Sequence, residues 1–290
     1  MNMVTESASR RPTIRMRGIL ALACSICLAS SAFSQSVCLP MPRLLTTMPM
    51  GGTSGATFEI AITGESLDGA SELQFSDPKV TAEPVLDEKG TVIANRYLVK
   101  IADDCPVGLV EARVRTRLGL SSPRVFSVSA LPEVTQADSS ITLESAIPLE
   151  LNSICNASMP PRAINHYRFD CDKGQRIVID CAAKGIDSKL NAVLIIADDQ
   201  GRDLVVQRRG DVIDFTAPAS GTYFIKVHEL TFKGGAEYFY RLSLQTAESD
   251  ELVATSPSTE AVGSFAWPPE SLALDPPVDE VEPNDSLVDA

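Results

Sequence analysis

Asn165-His166-Tyr167-Arg168-Phe169-Asp170-Cys171 leads through Asp172-Lys173-Gly174-Gln175 into Arg176-Ile177-Val178-Ile179-Asp180-Cys181. The same texture continues to Thr246. Ala192-Val193-Leu194-Ile195-Ile196 precedes the turn Asp198-Asp199-Gln200-Gly201. Ser220-Gly221-Thr222-Tyr223-Phe224-Ile225-Lys226-Val227-His228 follows, and Tyr238-Phe239-Tyr240-Arg241-Leu242-Ser243-Leu244 closes the stretch. Short β-branched and aromatic runs between Gly and Asp turns are the pattern of an antiparallel sandwich. Period-two parity assigns Tyr167, Phe169, Cys171, Ile177, Ile179 and Cys181 to one inward face. Residues 172–175 predict a tight hairpin in which Cys171 faces Arg176 and not Cys181.

The texture extends towards the N-terminus. Thr57-Phe58-Glu59-Ile60-Ala61-Ile62-Thr63 and Val110-Glu111-Ala112-Arg113-Val114 alternate with period two, and turn signals recur about every ten residues. The expected fold class is therefore all-β, with two consecutive β-sandwiches. An Ig-like sandwich over residues 40–131 precedes a jelly-roll-like one over 136–246, and the hinge between them is Leu131-Pro132-Glu133-Val134. Ile141-Thr142-Leu143 and Ile147-Pro148-Leu149 read as edge strands, where Pro is tolerated. Gly51-Gly52 and Gly234-Gly235 read as turns.

The ends differ in composition. Arg10, Arg11, Arg15 and Arg17 precede an apolar run from Gly18 to Leu28, with Ala32-Phe33-Ser34 as a small-x-small cleavage site. Residues 1–34 read as a signal peptide, giving an exported protein that is periplasmic, on the cell surface or extracellular, with no stable membrane span after cleavage. Residues 247–290 hold eleven Asp and Glu, no Lys or Arg, and the only tryptophan, Trp267. They read as a disordered acidic linker rich in Pro and Ser. The whole chain carries a net charge of −13, which argues against nucleic-acid binding.

Export sets the redox context of the five cysteines beyond the signal, Cys38, Cys105, Cys155, Cys171 and Cys181. Their odd number permits at most two bridges and one free thiol; a bridge and buried free thiols remain alternatives for Cys171 and Cys181. The two histidines, His166 and His228, sit in expected strands, and no nucleophile elbow accompanies them. His166, Cys171, Cys181 and His228 lack the paired spacing of a zinc site. Asp198-Asp199-Gln200-Gly201-Arg202-Asp203 lacks the frame and closing Glu of a calcium loop and reads as a hairpin turn. Asn156-Ala157-Ser158 is a formal sequon. No catalytic constellation and no cofactor fingerprint emerges, so the expected function is non-catalytic binding or accessory work on surface polysaccharide or protein. The alternative is the non-catalytic portion of a larger secreted peptidase or other hydrolase.

Two resemblances sharpen this. Pro49-Met50-Gly51-Gly52, the strand ending at Gly64, Leu67, and the strand Glu72-Leu73-Gln74-Phe75-Ser76 resemble the TIG (IPT) immunoglobulin-like modules of exported bacterial proteins. Tyr167-Arg168-Phe169, Lys173-Gly174-Gln175, Asp187-Ser188-Lys189-Leu190-Asn191-Ala192 and Ala217-Pro218-Ala219-Ser220-Gly221-Thr222-Tyr223 are similar to the bacterial pre-peptidase C-terminal domain. That resemblance implies a jelly-roll-like sandwich found beside secreted peptidases and in many other extracellular proteins. Glu282-Pro283-Asn284-Asp285-Ser286 looks like the opening of a further such domain. Relatives hold calcium with acidic and amide oxygens there, so the resemblance implies a weak calcium site at Glu282, Asn284 and Asp285, and a chain that continues in a longer protein.

Edman sequencing of exported material is expected to start near Gln35, and intact Met1 confined to the cytosol would contradict the export reading.

Overall fold

The structure is a computed structural model and describes residues 40–136, 140–208, 212–248, 251, 253–257 and 259. The signal-peptide reading, Cys38, and Glu282, Asn284 and Asp285 lie outside the described residues.

The first sandwich is built from β1 Arg43–Met48, β2 Gly51–Thr53, β3 Thr57–Glu65, β4 Glu72–Phe75, β5 Val80–Leu86, β6 Val92–Ile101, β7 Gly108–Thr116, β8 Gly119–Leu120 and β9 Arg124–Ser129. One sheet runs β1-β3-β6-β5; the other runs β2-β9-β7-β4, with β8 on β7. The predicted alternation holds in β7, where Val110, Ala112 and Val114 are buried and Glu111 is exposed, and β6 alternates too: Tyr97, Val99 and Ile101 are buried while Arg96, Leu98 and Lys100 face solvent. Val110, Ala112 and Val114 close the same core from the opposite sheet with Phe126 and Leu73. Gly51-Gly52, expected as a turn, is an edge strand paired in parallel with β9. The chain leaves one sheet after Met48 and joins the other at Gly51.

The second sandwich is built from β10 Glu133–Thr135, β11 Ile147–Pro148, β12 Ser153–Ser158, β13 Asn165–Cys171, β14 Arg176–Ala182, β15 Ala192–Ala197, β16 Asp203–Gln207, β17 Ile213–Thr216, β18 Gly221–Glu229 and β19 Phe239–Ala247. Its sheets run β10-β12-β19-β14-β17 and β11-β13-β18-β15-β16. From β12 to β15 the chain changes sheet at every connection, a jelly-roll-like winding.

That winding corrects the hairpin expected at 172–175. β13 pairs with β11 and β18, whereas β14 pairs with β19 and β17. The four-residue turn crosses between facing sheets, about 10 Å apart in a sandwich. The inward parity itself is right, since Tyr167, Phe169, Cys171, Ile177, Ile179 and Cys181 all enter one core. Ile141–Leu143 is not a strand. Thr142 and Ser145 exchange side-chain-to-backbone hydrogen bonds of 3.1 and 3.2 Å, a local competitor to strand pairing. Ile147–Pro148 does form an edge strand, on β13. Asp198–Gly201 is the expected hairpin turn between β15 and β16: Gly201 has φ +76, and the Asp198 carboxylate accepts the Gln200 and Arg202 amides.

Cys105, Cys155, Cys171 and Cys181 are all buried free thiols. Cys155 and Cys181 flank Leu242 from either side in one sheet. They stand two strand spacings apart, roughly 10 Å, beyond disulfide reach. Burial pushes the Cys155 thiol up to about 12, despite an opposing hydrogen bond from Tyr167, and pushes Cys181 up as well. Thiolate is the reactive form, so these sulfurs are chemically quiet at neutral pH. A maleimide pulse followed by peptide mapping is expected to leave these four cysteines unmodified in the native chain and to label all four in denaturant. Rapid native labelling of Cys155 or Cys181 would contradict this core.

Candidate functional site

The sheet β10-β12-β19-β14-β17 is covered on both faces. Along β19, Tyr240, Leu242 and Leu244 point into the sandwich core. The alternate residues Phe239, Arg241 and Ser243 point the other way, yet all three are buried. On β14 the alternate residues Val178, Asp180 and Ala182 are buried too, and on β12 Ile154 and Asn156. The first sandwich supplies part of the cover. Met50, Ala182, Ile186 and Phe239 form a small apolar cluster with Met48 and Val125 against it. The Val125 amide donates to the Asp187 carboxylate at 2.9 Å.

A chain segment beyond β19 supplies the rest. The Ser256 amide donates to Asp180 at 2.7 Å, Gln245 donates to the Ala254 carbonyl at 2.9 Å, and Ser127 donates to the Pro257 carbonyl at 3.1 Å. The start of the stretch read as a disordered linker is therefore a strap over the junction, with Ser256 buried.

Arg241 is the largest fully buried side chain among the described residues, at 0% exposure. Its Nη1 donates to the Ser127 carbonyl at 2.7 Å, and its Nη2 to Glu133 Oε1. Ser129 Oγ also donates to that oxygen, while Asn156 Nδ2 donates to Glu133 Oε2 at 2.7 Å. Burial lowers the Arg241 pKa, and Glu133 and Asp180 oppose that shift. Burial raises that of Asp180, against the Ser256 hydrogen bonds and Arg241. The segment predicted as a hinge is thus a strand whose Glu133 locks one sandwich to the other. Gly51 makes room for the lock, because a Cβ there would overlap Arg241 Nη1 and the Ser127 carbonyl.

Beside this lock lies a cleft of about 390 Å³. The first sandwich lines it with Pro49, Gly51, Gly52, Thr53, Phe58 and Glu59. The second contributes Pro132, Glu133, Thr135 and Asn156. Glu59 is paired with Arg96, and Glu133 with Arg241. The buried Asn156 Oδ1 has no hydrogen-bond partner among the described residues. Size and lining suit a small ligand or one segment of a polymer. A wider depression of about 690 Å³ lies at Gly174, Arg176, Thr216 and Glu248. Its cation is already held by Asp214 and by the Glu248 and Glu251 carbonyls, so the junction cleft is the better site.

The two histidines singled out in the sequence each hold a contact to a backbone carbonyl. His166 Nδ1 lies 3.0 Å from the Ser140 carbonyl. His228 Nδ1 lies 2.9 Å from the Glu229 carbonyl, and its ring stacks on Phe232 at 4.8 Å. Cys171 and Cys181 are in the core, away from both histidines' partners. Among the described residues no group of three or more His, Cys, Asp or Glu could hold a metal ion. Asn156 of the sequon is 1% exposed and belongs to the cleft floor. Among the described residues no helix is long and apolar enough to cross a membrane. Sequence reasoning missed Arg241, Glu133 and Asn156. One available signal was Gly51-Gly52, since paired glycines in a strand mark close backbone approach.

No family model matches the chain, and no curated protein matches it. Solved structures do. The periplasmic g-type lysozyme inhibitor PliG of Aeromonas hydrophila is 15% identical, covering 40% of this chain and 99% of its own, with a TM-score of 0.31. The pre-peptidase C-terminal domain of Bacillus anthracis collagenase is 17% identical over 34% of this chain and 93% of its own, TM-score 0.28. The glucan-locus protein SGBP-B of Bacteroides ovatus, solved with a mixed-linkage heptasaccharide, is 10% identical over 70% of this chain and 44% of its own, TM-score 0.25. Likeness this distant transfers neither ligand nor activity.

Glu133→Ala is expected to destabilise the chain by about 3–5 kcal/mol, because it strands the buried Arg241 charge. Gly51→Ala is expected to cost about 1–3 kcal/mol through overpacking. Urea unfolding monitored by circular dichroism measures both, and a wild-type midpoint for Glu133→Ala would refute the lock.

Proposed function

We infer that the chain is a non-catalytic, extracytoplasmic binding or accessory segment of an exported bacterial protein. Its partner is a polymer of the cell surface, polysaccharide or protein. The observation that carries this reading is the junction cleft. Two sandwiches contribute walls to it, and its carboxylates are already paired with arginines. Such a site is furnished for hydrogen bonding and shape, not for proton transfer or nucleophilic attack.

The family resemblances enter the same reading. The first sandwich is taken as TIG-like, with Pro49-Met50-Gly51-Gly52 at the point where the chain changes sheet. The second is taken as a pre-peptidase C-terminal-like sandwich, with Lys173-Gly174-Gln175 at its sheet crossover. Export rests on the charged-then-apolar N-terminus and its small-residue cleavage site.

The test is a combined glycan and protein array probed with the full chain and with Thr135→Arg. Thr135 is exposed at the cleft, so the arginine fills it without disturbing the core. Specific binding that falls at least tenfold in the variant, with an unchanged melting temperature, is expected. Binding indifferent to Thr135→Arg would remove the cleft from the function.

A further inference from the structure

Two sheet edges border the cleft. β2 is the outer strand of its sheet and β10 is the outer strand of its own. Both pair in parallel with the strand inside them, and parity then fixes which backbone groups point outward. The Ser127 amide donates to the Met50 carbonyl and the Ser54 amide to the Ser129 carbonyl. Residues 50, 52 and 54 therefore serve the ladder with β9, and Gly51 and Thr53 aim their backbone away from it, with the Thr53 carbonyl taken by the Ala56 amide at 3.1 Å and its amide left outward. In β10 the Ile154 amide donates to the Pro132 carbonyl and the Gln136 amide to the Asn156 carbonyl. Residues 132, 134 and 136 serve that ladder, and Glu133 and Thr135 aim outward. These four outward residues all line the cleft.

We propose that the junction cleft binds an extended peptide segment, which adds as a strand along the outer edges of β2 and β10. This rests on the binding reading above and names its ligand class. Outward amides and carbonyls at every second residue are what an extended backbone matches, and what a sugar ring does not repeat. The unpartnered Asn156 Oδ1 adds an acceptor on the β10 side for a donor of the incoming chain. Edge strands this short and covered are protected against indiscriminate pairing, which leaves them available to a segment that also fits the cleft.

Nuclear magnetic resonance on the ¹⁵N-labelled full chain tests the proposal. The probes are the capped hexapeptide acetyl-(Thr-Val)₃-amide, its analogue N-methylated at alternate residues, and cellohexaose. The hexapeptide is expected to shift the Gly51, Thr53, Glu133 and Thr135 amides saturably, with a Kd at or below about 1 mM. The N-methylated analogue loses one hydrogen-bonding edge and is expected to bind at least tenfold more weakly. Thr135→Pro removes one outward amide without touching the ladder and is expected to weaken the hexapeptide at least tenfold at unchanged melting temperature. Equal binding of the N-methylated analogue, or no saturable shift of these amides by the hexapeptide, overturns the proposal. Shifts of the same amides by cellohexaose alone overturn it while leaving the cleft as a binding site.

Discussion

The architecture depends on one buried ion pair. Arg241 and Glu133 meet where the back of one sheet is covered by another sandwich and by the strap at residues 253–257. A guanidinium at 0% exposure is tolerable only with its donors placed. Two of them are, on the Ser127 carbonyl and on Glu133, while Nε has no partner among the described residues. The pair is thus weak as a source of net stability and strong as a condition. Glu133 and Arg241 belong to the second sandwich, and the first meets them with the Ser127 carbonyl and the Ser129 hydroxyl, so the pair is satisfied only where the two sandwiches meet in this way.

This condition explains why the fold was largely legible in the sequence and the site was not. Period-two alternation reports a strand with one dry face; it marked 57–63 and 110–114 as half-buried strands and put Tyr167, Phe169, Ile177 and Ile179 in the core of the second sandwich. In β19 the alternation Phe239-Tyr240-Arg241-Leu242-Ser243-Leu244 reads as an ordinary half-exposed strand, with Arg and Ser turned to water. Nothing in that local pattern reports that a second sandwich covers the polar face. The same blindness hid Asp180 in β14 and Asn156 in β12.

The turn chemistry divides along a similar line. Asp198 through Gly201 was legible because the bonds that close it, from the Gln200, Gly201 and Arg202 amides to Asp198, are local. Residues 172–175 were not, because four residues can close a hairpin or cross between sheets. The choice is made by strands as far away as β18 and β19. Gly51-Gly52 failed for a further reason. Gly51 answers to the Arg241 guanidinium and the Ser127 carbonyl, neither of which is near in sequence.

The lock and the cleft are one structure seen from two sides. Arg241 requires glycine at position 51, and that glycine stands in β2, the outer strand of its sheet. Glu133 must reach Arg241 from β10, which brings the edge of that strand to the same place. Asn156 spends its amide nitrogen on Glu133 Oε2 and keeps its oxygen unpaired beside the cleft. An all-apolar junction could match the stability, since well-packed hydrophobes often equal or exceed a buried ion pair. It would not demand a glycine at position 51, nor hold a carboxylate between two hydroxyl- and amide-bearing strands. The polar solution therefore does more than join the sandwiches: it brings the outer strands β2 and β10 to one cleft, and a recognition surface made of backbone requires that fixity.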